Sequence, residues 1–248
     1  MDFGLSDLFT NTNYNETVFE YKDIKQTVFA LTHGGPDFDM TGQHVWEGGE
    51  VLAKWIIENK HLFEGKNVIE LGSGTGISGL VASHFAKFTL MSDYIPEVLD
   101  LLRKQCIEST HISEDHKLGH AKIDWINTKY KDINITVHHS NDEDDITEVH
   151  ISECEKFDIV IAAEVIYWED SIVPLVTILD ELFTNHDDKL VFYMIFLERT
   201  TRLHTQLIQA YEKFNFQYEY LQDPLTKGTA GYECFLFKVV RKPSEASS

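Results

Sequence analysis

The stretch that decides the fold is VIELGSGTGISG, residues 68–79. It begins with a short apolar run that contains one acid, Glu70, and continues with four glycines in eight residues. The apolar run predicts a buried strand. A glycine-rich turn after a strand lets bare backbone amides and a helix N-terminus approach a ligand closely. The stretch therefore predicts a strand, a turn and a helix that together bind a nucleotide-like cofactor.

The glycines alone allow two cofactors. As G-x-G-x-x-G, starting at Gly74, they are typical of a nicotinamide dinucleotide site, which also needs a ribose-binding acid about 20 residues further on. Asp93 meets that requirement. However, such a site gives Glu70 no role, whereas an acid at the strand end would attract the sulfonium and ammonium groups of S-adenosylmethionine. Glu70 therefore favours the second cofactor, with residues 72–76 as the turn and Asp93 as the acceptor for the ribose hydroxyls.

Strand-like and helix-like segments alternate from Asn67 onward, which indicates an α/β fold with a mostly parallel sheet covered on both faces. The last two strand-like segments have no helix between them, so we expect an antiparallel strand to close the sheet. Upstream, TVFEYKDIKQTVFALTH, residues 17–33, predicts a β-hairpin. The expected organisation is an N-terminal hairpin extension at 1–45, a core domain at 46–240 and a disordered tail at 241–248.

Composition limits the function classes. The chain has 248 residues and a formal net charge of −20, which argues against binding to phosphate backbones and is compatible with a basic protein partner or with solubility alone. The three cysteines are far apart and the 12 histidines show no ligand spacing, so no metal is expected. The sequence has no apolar run of about 18 residues and no signal-peptide pattern. We therefore expect no membrane span and a location in the cytoplasm, or also in the nucleus. We also expect a monomer.

Several motifs together resemble one family. ELGSGTGISGL and SDY, residues 70–80 and 92–94, are similar to the cofactor motif and second-strand acid of the seven-β-strand, Rossmann-like methyltransferases. GQHVWEGGEVLAKWI, IDW and IVIAAEVIYWED narrow the resemblance to the family 16 methyltransferase-like proteins, a group rich in protein-lysine methyltransferases. The resemblance covers residues 17–240. It implies a Rossmann-like sheet of seven strands. This sequence departs from the group in one respect, because its segment between the third and fourth strands is longer than is usual.

The resemblance also implies which residues form the site. For S-adenosylmethionine, the motif and the family pattern give nine residues: Trp46, Glu70, Gly72, Ser73, Gly74, Gly76, Asp93, Trp125 and Ala163. Trp125 would lie against the adenine, and Asp93 would hold the ribose. Glu164 and Tyr167 would form the catalytic mouth where the substrate amine enters, with Glu164 orienting the amine and Tyr167 packing on it.

The resulting hypothesis is an S-adenosylmethionine-dependent protein-lysine N-methyltransferase. Its substrate would be a cytoplasmic protein with a basic surface, such as a translation factor or a chaperone. A protein histidine or a small-molecule amine stays open as the acceptor, because loops build the acceptor pocket. Less favoured alternatives are an NAD(P)-dependent oxidoreductase, a nucleic-acid methyltransferase and a non-catalytic binding module. The acidic charge and the absence of a D-P-P-Y motif oppose the nucleic-acid enzyme.

Overall fold

Alternating strands and helices form most of the chain. The structure, a computed structural model, describes residues 14–31, 38–113, 115–186, 189–227 and 231–243. The strands in these ranges are β1 (Asn15–Tyr21), β2 (Ile24–Ala30), β3 (Asn67–Leu71), β4 (Phe88–Asp93), β5 (Lys117–Lys122), β6 (Asn134–His138), β7 (Ile146–His150), β8 (Ile159–Ala163), β9 (Val191–Glu198), β10 (Phe216–Leu221) and β11 (Glu233–Arg241). The α-helices there are α1 (Glu47–Glu58), α2 (Ile77–Ala82), α3 (Pro96–Glu108), α4 (Ile172–Asn185) and α5 (Thr201–Lys213).

The central sheet has the order β10-β11-β9-β8-β3-β4-β5-β6-β7. Its five middle strands, β9-β8-β3-β4-β5, are parallel to one another. The expected antiparallel closure is confirmed, because β11 lies between β9 and β10 and is antiparallel to both. The carboxyl ends of the parallel strands meet at one edge of the sheet, which is where open α/β sheets bind their ligands.

The sheet has nine strands in the described residues rather than the seven that the resemblance implied. The first seven in spatial order are the expected set. The other two, β6 and β7, come from the long segment between the third and fourth core strands and extend the sheet as an antiparallel pair beyond β5. The connection between them includes residues 141–145, of which the last four are acidic, and all five are exposed, as expected of a solvated loop.

Both faces of the sheet are covered, as predicted. Strand β3 is buried along its whole length, and its residues alternate between two cores. Val68 packs into the core beneath α1, α2 and α3, whereas Ile69 and Leu71 pack into the core beneath α4 and α5. This double burial explains why the strand is apolar throughout except at Glu70.

The predicted N-terminal hairpin is confirmed as the antiparallel pair β1–β2. Phe19 and Val28 bury its inner face in the core beneath α1 to α3. The side chain of Gln105, which is buried on α3, fixes the hairpin further. Its Oε1 accepts from the Phe29 amide at 3.1 Å, and its Nε2 donates to the carbonyl oxygens of Phe29 (2.8 Å) and Thr75 (2.9 Å). The hairpin is thereby tied to the glycine turn.

The last strand extends one residue into the segment that the sequence predicted to be a disordered tail. Strand β11 continues through Arg241, the first residue of the expected tail, whose guanidinium binds Asp180 on α4. Residues 244–248 lie outside the described residues, and the proposed division into an extension, a core domain and a tail stays a prediction. No helix in the described part of the chain is long and apolar enough to cross a membrane.

Candidate active site

A cavity of about 750 Å³ opens at the carboxyl edge of the sheet. Gly76 does not line it, because a Cβ there would lie 2.7 Å from Met91 Sδ, so this glycine faces the core and shapes the turn. The other residues predicted for the site all line the cavity: Trp46, Glu70, Gly72, Ser73, Gly74, Asp93, Trp125, Ala163, Glu164 and Tyr167. The structure thus brings together residues that the sequence spreads over more than a hundred positions.

The first turn of the site requires glycine at Gly72. Its φ of 66° lies in the left-handed region that favours glycine. A Cβ on Gly72 would lie 2.8 Å from Val165 Cγ1 and 3.2 Å from Trp125 Cζ2. A larger residue would therefore push against the walls of the cavity as well as strain the backbone.

Glu70 is a buried acid at the inner end of the cavity lining, with 3% of its surface exposed. Its Oε2 accepts from the Gly79 amide at 3.2 Å. Burial raises the pKa of Glu70 to about 8, although hydrogen bonds from Ser73, Gly79 and Ser78 oppose the rise. A cationic ligand in the cavity would favour the ionised carboxylate. A positively charged ligand would therefore stabilise the ionised form of Glu70. Without such a ligand, the buried acid lowers the stability of the folded protein.

Asp93 is held at the end of β4 by three backbone amides. Its Oδ2 accepts from Gly74 at 3.1 Å, and its Oδ1 accepts from Tyr94 at 2.7 Å and from Ile95 at 3.2 Å. Burial raises the pKa of Asp93, and these three bonds counteract it. A carboxylate offers about four acceptor positions, so Asp93 joins the glycine turn to β4 and still has capacity for a hydroxyl donor.

Two tryptophans border the cavity, one that precedes the glycine turn along the chain and one that follows it. Trp125 is half-buried and follows β5. The loop around it is shaped by Asp124, whose carboxylate accepts from the Ile126 amide (3.0 Å) and from Asn127 Nδ2 (2.7 Å). Trp46 precedes α1, is 41% exposed and donates from Nε1 to the Thr41 carbonyl oxygen at 2.8 Å. Trp125 thus offers a flat wall inside the cavity, and Trp46 forms part of its rim.

Glu164 follows β8 in a strained backbone conformation, with φ at 55°. Its side chain is only 4% exposed, and both carboxylate oxygens are used. Oε2 accepts from the Gly48 amide at 2.7 Å, and Oε1 accepts from Arg199 at 2.7 Å. A Cβ on Gly48 would lie 2.5 Å from Glu164 Cγ, so this contact needs a glycine. These bonds favour a role in positioning the loop and Arg199 over direct orientation of an amine.

Arg199 lies at the mouth of the cavity among aromatic rings. Its guanidinium carbon is 4.6 Å from the centre of the Tyr167 ring and 5.9 Å from the rings of both Trp46 and Tyr232. Tyr167 is 45% exposed and meets Trp168 edge to face at 4.8 Å. The mouth therefore combines exposed aromatic rings with one fixed positive charge.

A comparison with protein families identifies the family of the chain. The model of the lysine methyltransferase family 16 matches residues 33–213, well over half of the chain. The chain belongs to this family. Membership confirms the methyltransferase class and the resemblance read from the motifs, with S-adenosylmethionine as the cofactor, and it overturns the nicotinamide alternative.

Individual relatives are more distant. The human protein-lysine N-methyltransferase EEF2KMT is 28% identical over 155 residues, which cover 58% of this chain and 41% of that protein. The mouse EEF2KMT is 27% identical over 169 residues, which cover 64% and 43%. The chain spans less than half the length of the curated relatives it matches.

Solved structures show the same fold at low identity. A Streptococcus mutans protein whose structure is assigned to the S-adenosylmethionine-dependent methyltransferases has a TM-score of 0.58 at 15% identity, covering 91% of this chain and 55% of that one. A TehB-like methyltransferase from Corynebacterium glutamicum has a TM-score of 0.53 at 14% identity, covering 81% and 90%. These likenesses confirm the α/β methyltransferase fold and nothing finer.

The cavity of this methyltransferase fits its family's cofactor. Glu70 is a buried acid that suits the cationic methionine end, and Asp93 has acceptor capacity for a ribose hydroxyl. The half-buried Trp125 ring beside Gly72 suits a flat base. The contact of each residue with the cofactor stays a prediction.

Two residues that are not among those predicted for the site also line the cavity. One is Arg199, which binds Glu164 at the mouth. The other is His44. Its Nδ1 donates to the Leu31 carbonyl oxygen at 2.8 Å, and its buried Nε2 has no partner among the described residues. Only the folded arrangement shows these positions, because both depend on contacts between distant segments.

Proposed function

We propose that this methyltransferase transfers a methyl group from S-adenosylmethionine to the side-chain nitrogen of a lysine in another protein. The observation that carries the proposal is the mouth of the cavity. Trp46, Tyr167 and Trp168 expose 41%, 45% and 54% of their surfaces there and line the same cavity as the acids Glu70 and Asp93. An aromatic rim suits a long apolar side chain with a nitrogen at its end.

The chain's own residues would help the lysine to react. A free lysine has a pKa near ~10.4, and only its neutral form is a nucleophile. Tyr167 would replace water around the entering side chain, and the Arg199 guanidinium beside Tyr167, whose charge Glu164 offsets in part, would repel a second cation. Desolvation and a neighbouring positive charge both favour loss of the ammonium proton. The bound cofactor supplies a methyl group on a positively charged sulfur.

Positioning is the main contribution expected from the protein. Direct displacement needs the nitrogen, the methyl carbon and the sulfur in line, and such alignment can contribute about 7–11 kcal/mol. Glu164 would act here indirectly, because it fixes Arg199 and the loop that carries Tyr167. We infer that Glu164 is a positioning residue and that Tyr167 contacts the substrate.

The acidic surface supports a basic protein partner. A net charge of −20 would speed the encounter with a positively charged protein surface and slow that with nucleic acid. We infer a cytoplasmic, or also nuclear, acceptor that exposes a lysine in a basic region. Translation factors and chaperones are the first candidates to assay, and the curated relative EEF2KMT is named as a protein-lysine enzyme.

The test is transfer of a labelled methyl group from S-adenosylmethionine into a cell lysate, followed by mass spectrometry of the labelled protein. The proposal expects the label on a lysine nitrogen, and no label with the Asp93→Ala variant. Label on a histidine, on RNA or on a small amine would replace the proposed acceptor. Cofactor binding without any transfer would favour a non-catalytic binding module.

A further inference from the structure

Three soft or borderline metal ligands meet away from the cofactor cavity. They are Cys106 on α3, His120 on β5 and His138 on β6. Each offers one ligand atom, and these atoms all lie within 4.8 Å of one another. None of the three residues lines the cavity of the methyltransferase site. The cluster is therefore separate from the site described above.

The strand register explains why the two histidines face each other. In the antiparallel pair β5–β6, Leu118 lies opposite His138 and His120 lies opposite Thr136. Residues two apart on a strand share a face, so His120 and His138 lie diagonally on the same face. His120 Nδ1 is 3.1 Å from His138 Nε2. Cys106 reaches this face from the end of α3, where its side chain is fully buried.

The two imidazoles lie in surroundings that suit a metal. His138 is fully buried and His120 is half-buried, so little water competes for their nitrogens. Arg103, on the same helix as Cys106, lies close enough to act on both rings. Arg103 itself is paired with Glu143 at 3.3 Å, which offsets part of its charge. Neutral imidazole nitrogen is a preferred ligand of zinc.

A second observation points to a ligand at this place. His138 is fully buried, and its Nδ1 has no hydrogen-bond partner among the described residues. A buried polar atom without a partner is costly and calls for an explanation such as an ion. Cys106 is a free, buried thiol, and a thiol that coordinates a cation gives up its proton.

We propose that Cys106, His120 and His138 bind a Zn²⁺ ion that ties α3 to the β5–β6 edge of the sheet. Zinc bonds of about 2.0–2.1 Å to nitrogen and about 2.3 Å to sulfur place tetrahedral ligand atoms roughly 3.3–3.6 Å apart. The three ligand atoms, now within 4.8 Å of one another, therefore need to approach by up to about 1.2–1.5 Å. His120 is half-buried, so a water molecule can reach a fourth position. The sequence predicted no metal because the ligands come from three separate elements without a local spacing pattern.

The test uses the full chain, purified without a metal-binding tag, and measures its zinc content by mass spectrometry of the elements. We expect about one zinc ion per chain. Replacing the metal with Co²⁺ is expected to give a thiolate-to-cobalt absorption band in the near ultraviolet. Cys106→Ala should abolish the band, whereas the matched variant Cys154→Ala, which removes a half-buried cysteine elsewhere, should retain it.

His120→Gln provides a second test if Cys106→Ala does not fold, because His120 is less buried than the other ligands. Added Zn²⁺ is expected to raise the Tm of the metal-stripped wild type and of Cys154→Ala, but not that of His120→Gln. Either of two results would overturn the proposal. One is a wild-type chain that holds no zinc and gives no cobalt band. The other is metal binding that persists unchanged in His120→Gln.

Discussion

Replacing Glu70 with glutamine is expected to stabilise the free protein at neutral pH and to weaken its binding of S-adenosylmethionine. Glu70 is buried at the start of the glycine turn, and burial raises its pKa from 4.5 to about 8. A raised carboxyl pKa means that the folded state prefers the protonated form. The stability contribution of Glu70 is then fully present below pH 4.5 and is lost as the pH rises towards 8. Glutamine keeps the hydrogen-bonding shape and has no proton to lose.

The size of the effect follows from this shift. Each pKa unit corresponds to about 1.4 kcal/mol. At pH 7 the wild type has lost about 3 kcal/mol of this contribution, whereas at pH 5 it has lost less than about 1 kcal/mol. The free energy of unfolding of Glu70→Gln minus that of the wild type should therefore increase by about 2–3 kcal/mol from pH 5 to pH 7. Glutamine also cannot ionise when a cation binds, whereas the Glu70 carboxyl can, so affinity for the cofactor should fall about tenfold or more.

Urea unfolding of both proteins at pH 5, 6 and 7 measures the stability difference, and calorimetric titration measures cofactor affinity. Glu212→Gln, which removes an exposed carboxyl on α5, controls for the loss of one negative charge. A stability difference that does not change with pH would refute the buried-acid reasoning. Wild-type affinity for S-adenosylmethionine in Glu70→Gln would refute the role of this acid in recognising a cation.

Other predictions concern the turn and the mouth. Gly72→Ala should weaken cofactor binding, because its Cβ would lie 2.8 Å from Val165 Cγ1; unchanged affinity by calorimetry would contradict this. Arg199→Met should lower the free energy of unfolding by about 3–5 kcal/mol, because it leaves the buried Glu164 without its cation; urea unfolding measures it, and a loss below about 1 kcal/mol would show that the pair adds little. Tyr167→Ala should spare cofactor affinity and slow methyl transfer roughly 10- to 100-fold; equal losses in both assays would place Tyr167 in the cofactor pocket instead.

The cofactor half of the site could be predicted from the sequence because its constraints are local. The strand that ends at Leu71, the glycines after it and the acid of the next strand all lie within 26 positions, from Val68 to Asp93. A left-handed turn needs glycine, and a buried strand needs apolar residues on both faces. These requirements leave a readable pattern.

The other half depends on contacts that leave no such pattern. Arg199 becomes part of the mouth only through Glu164, 35 positions away, and Glu164 in turn depends on a glycine 116 positions away. Strand β7 is largely exposed and alternates weakly, so only its pairing with β6 reveals it as part of the sheet. Pairing and packing between distant segments decide such features, and single-sequence periodicity does not report them.

The most direct test of the central claim is calorimetric titration of the purified chain with S-adenosylmethionine and, separately, with NAD⁺. The cavity described here predicts one binding site for S-adenosylmethionine, no binding of NAD⁺, and loss of the first in Asp93→Ala, whose carboxylate joins the glycine turn to β4. Binding of NAD⁺ without binding of S-adenosylmethionine would contradict the assignment of this site.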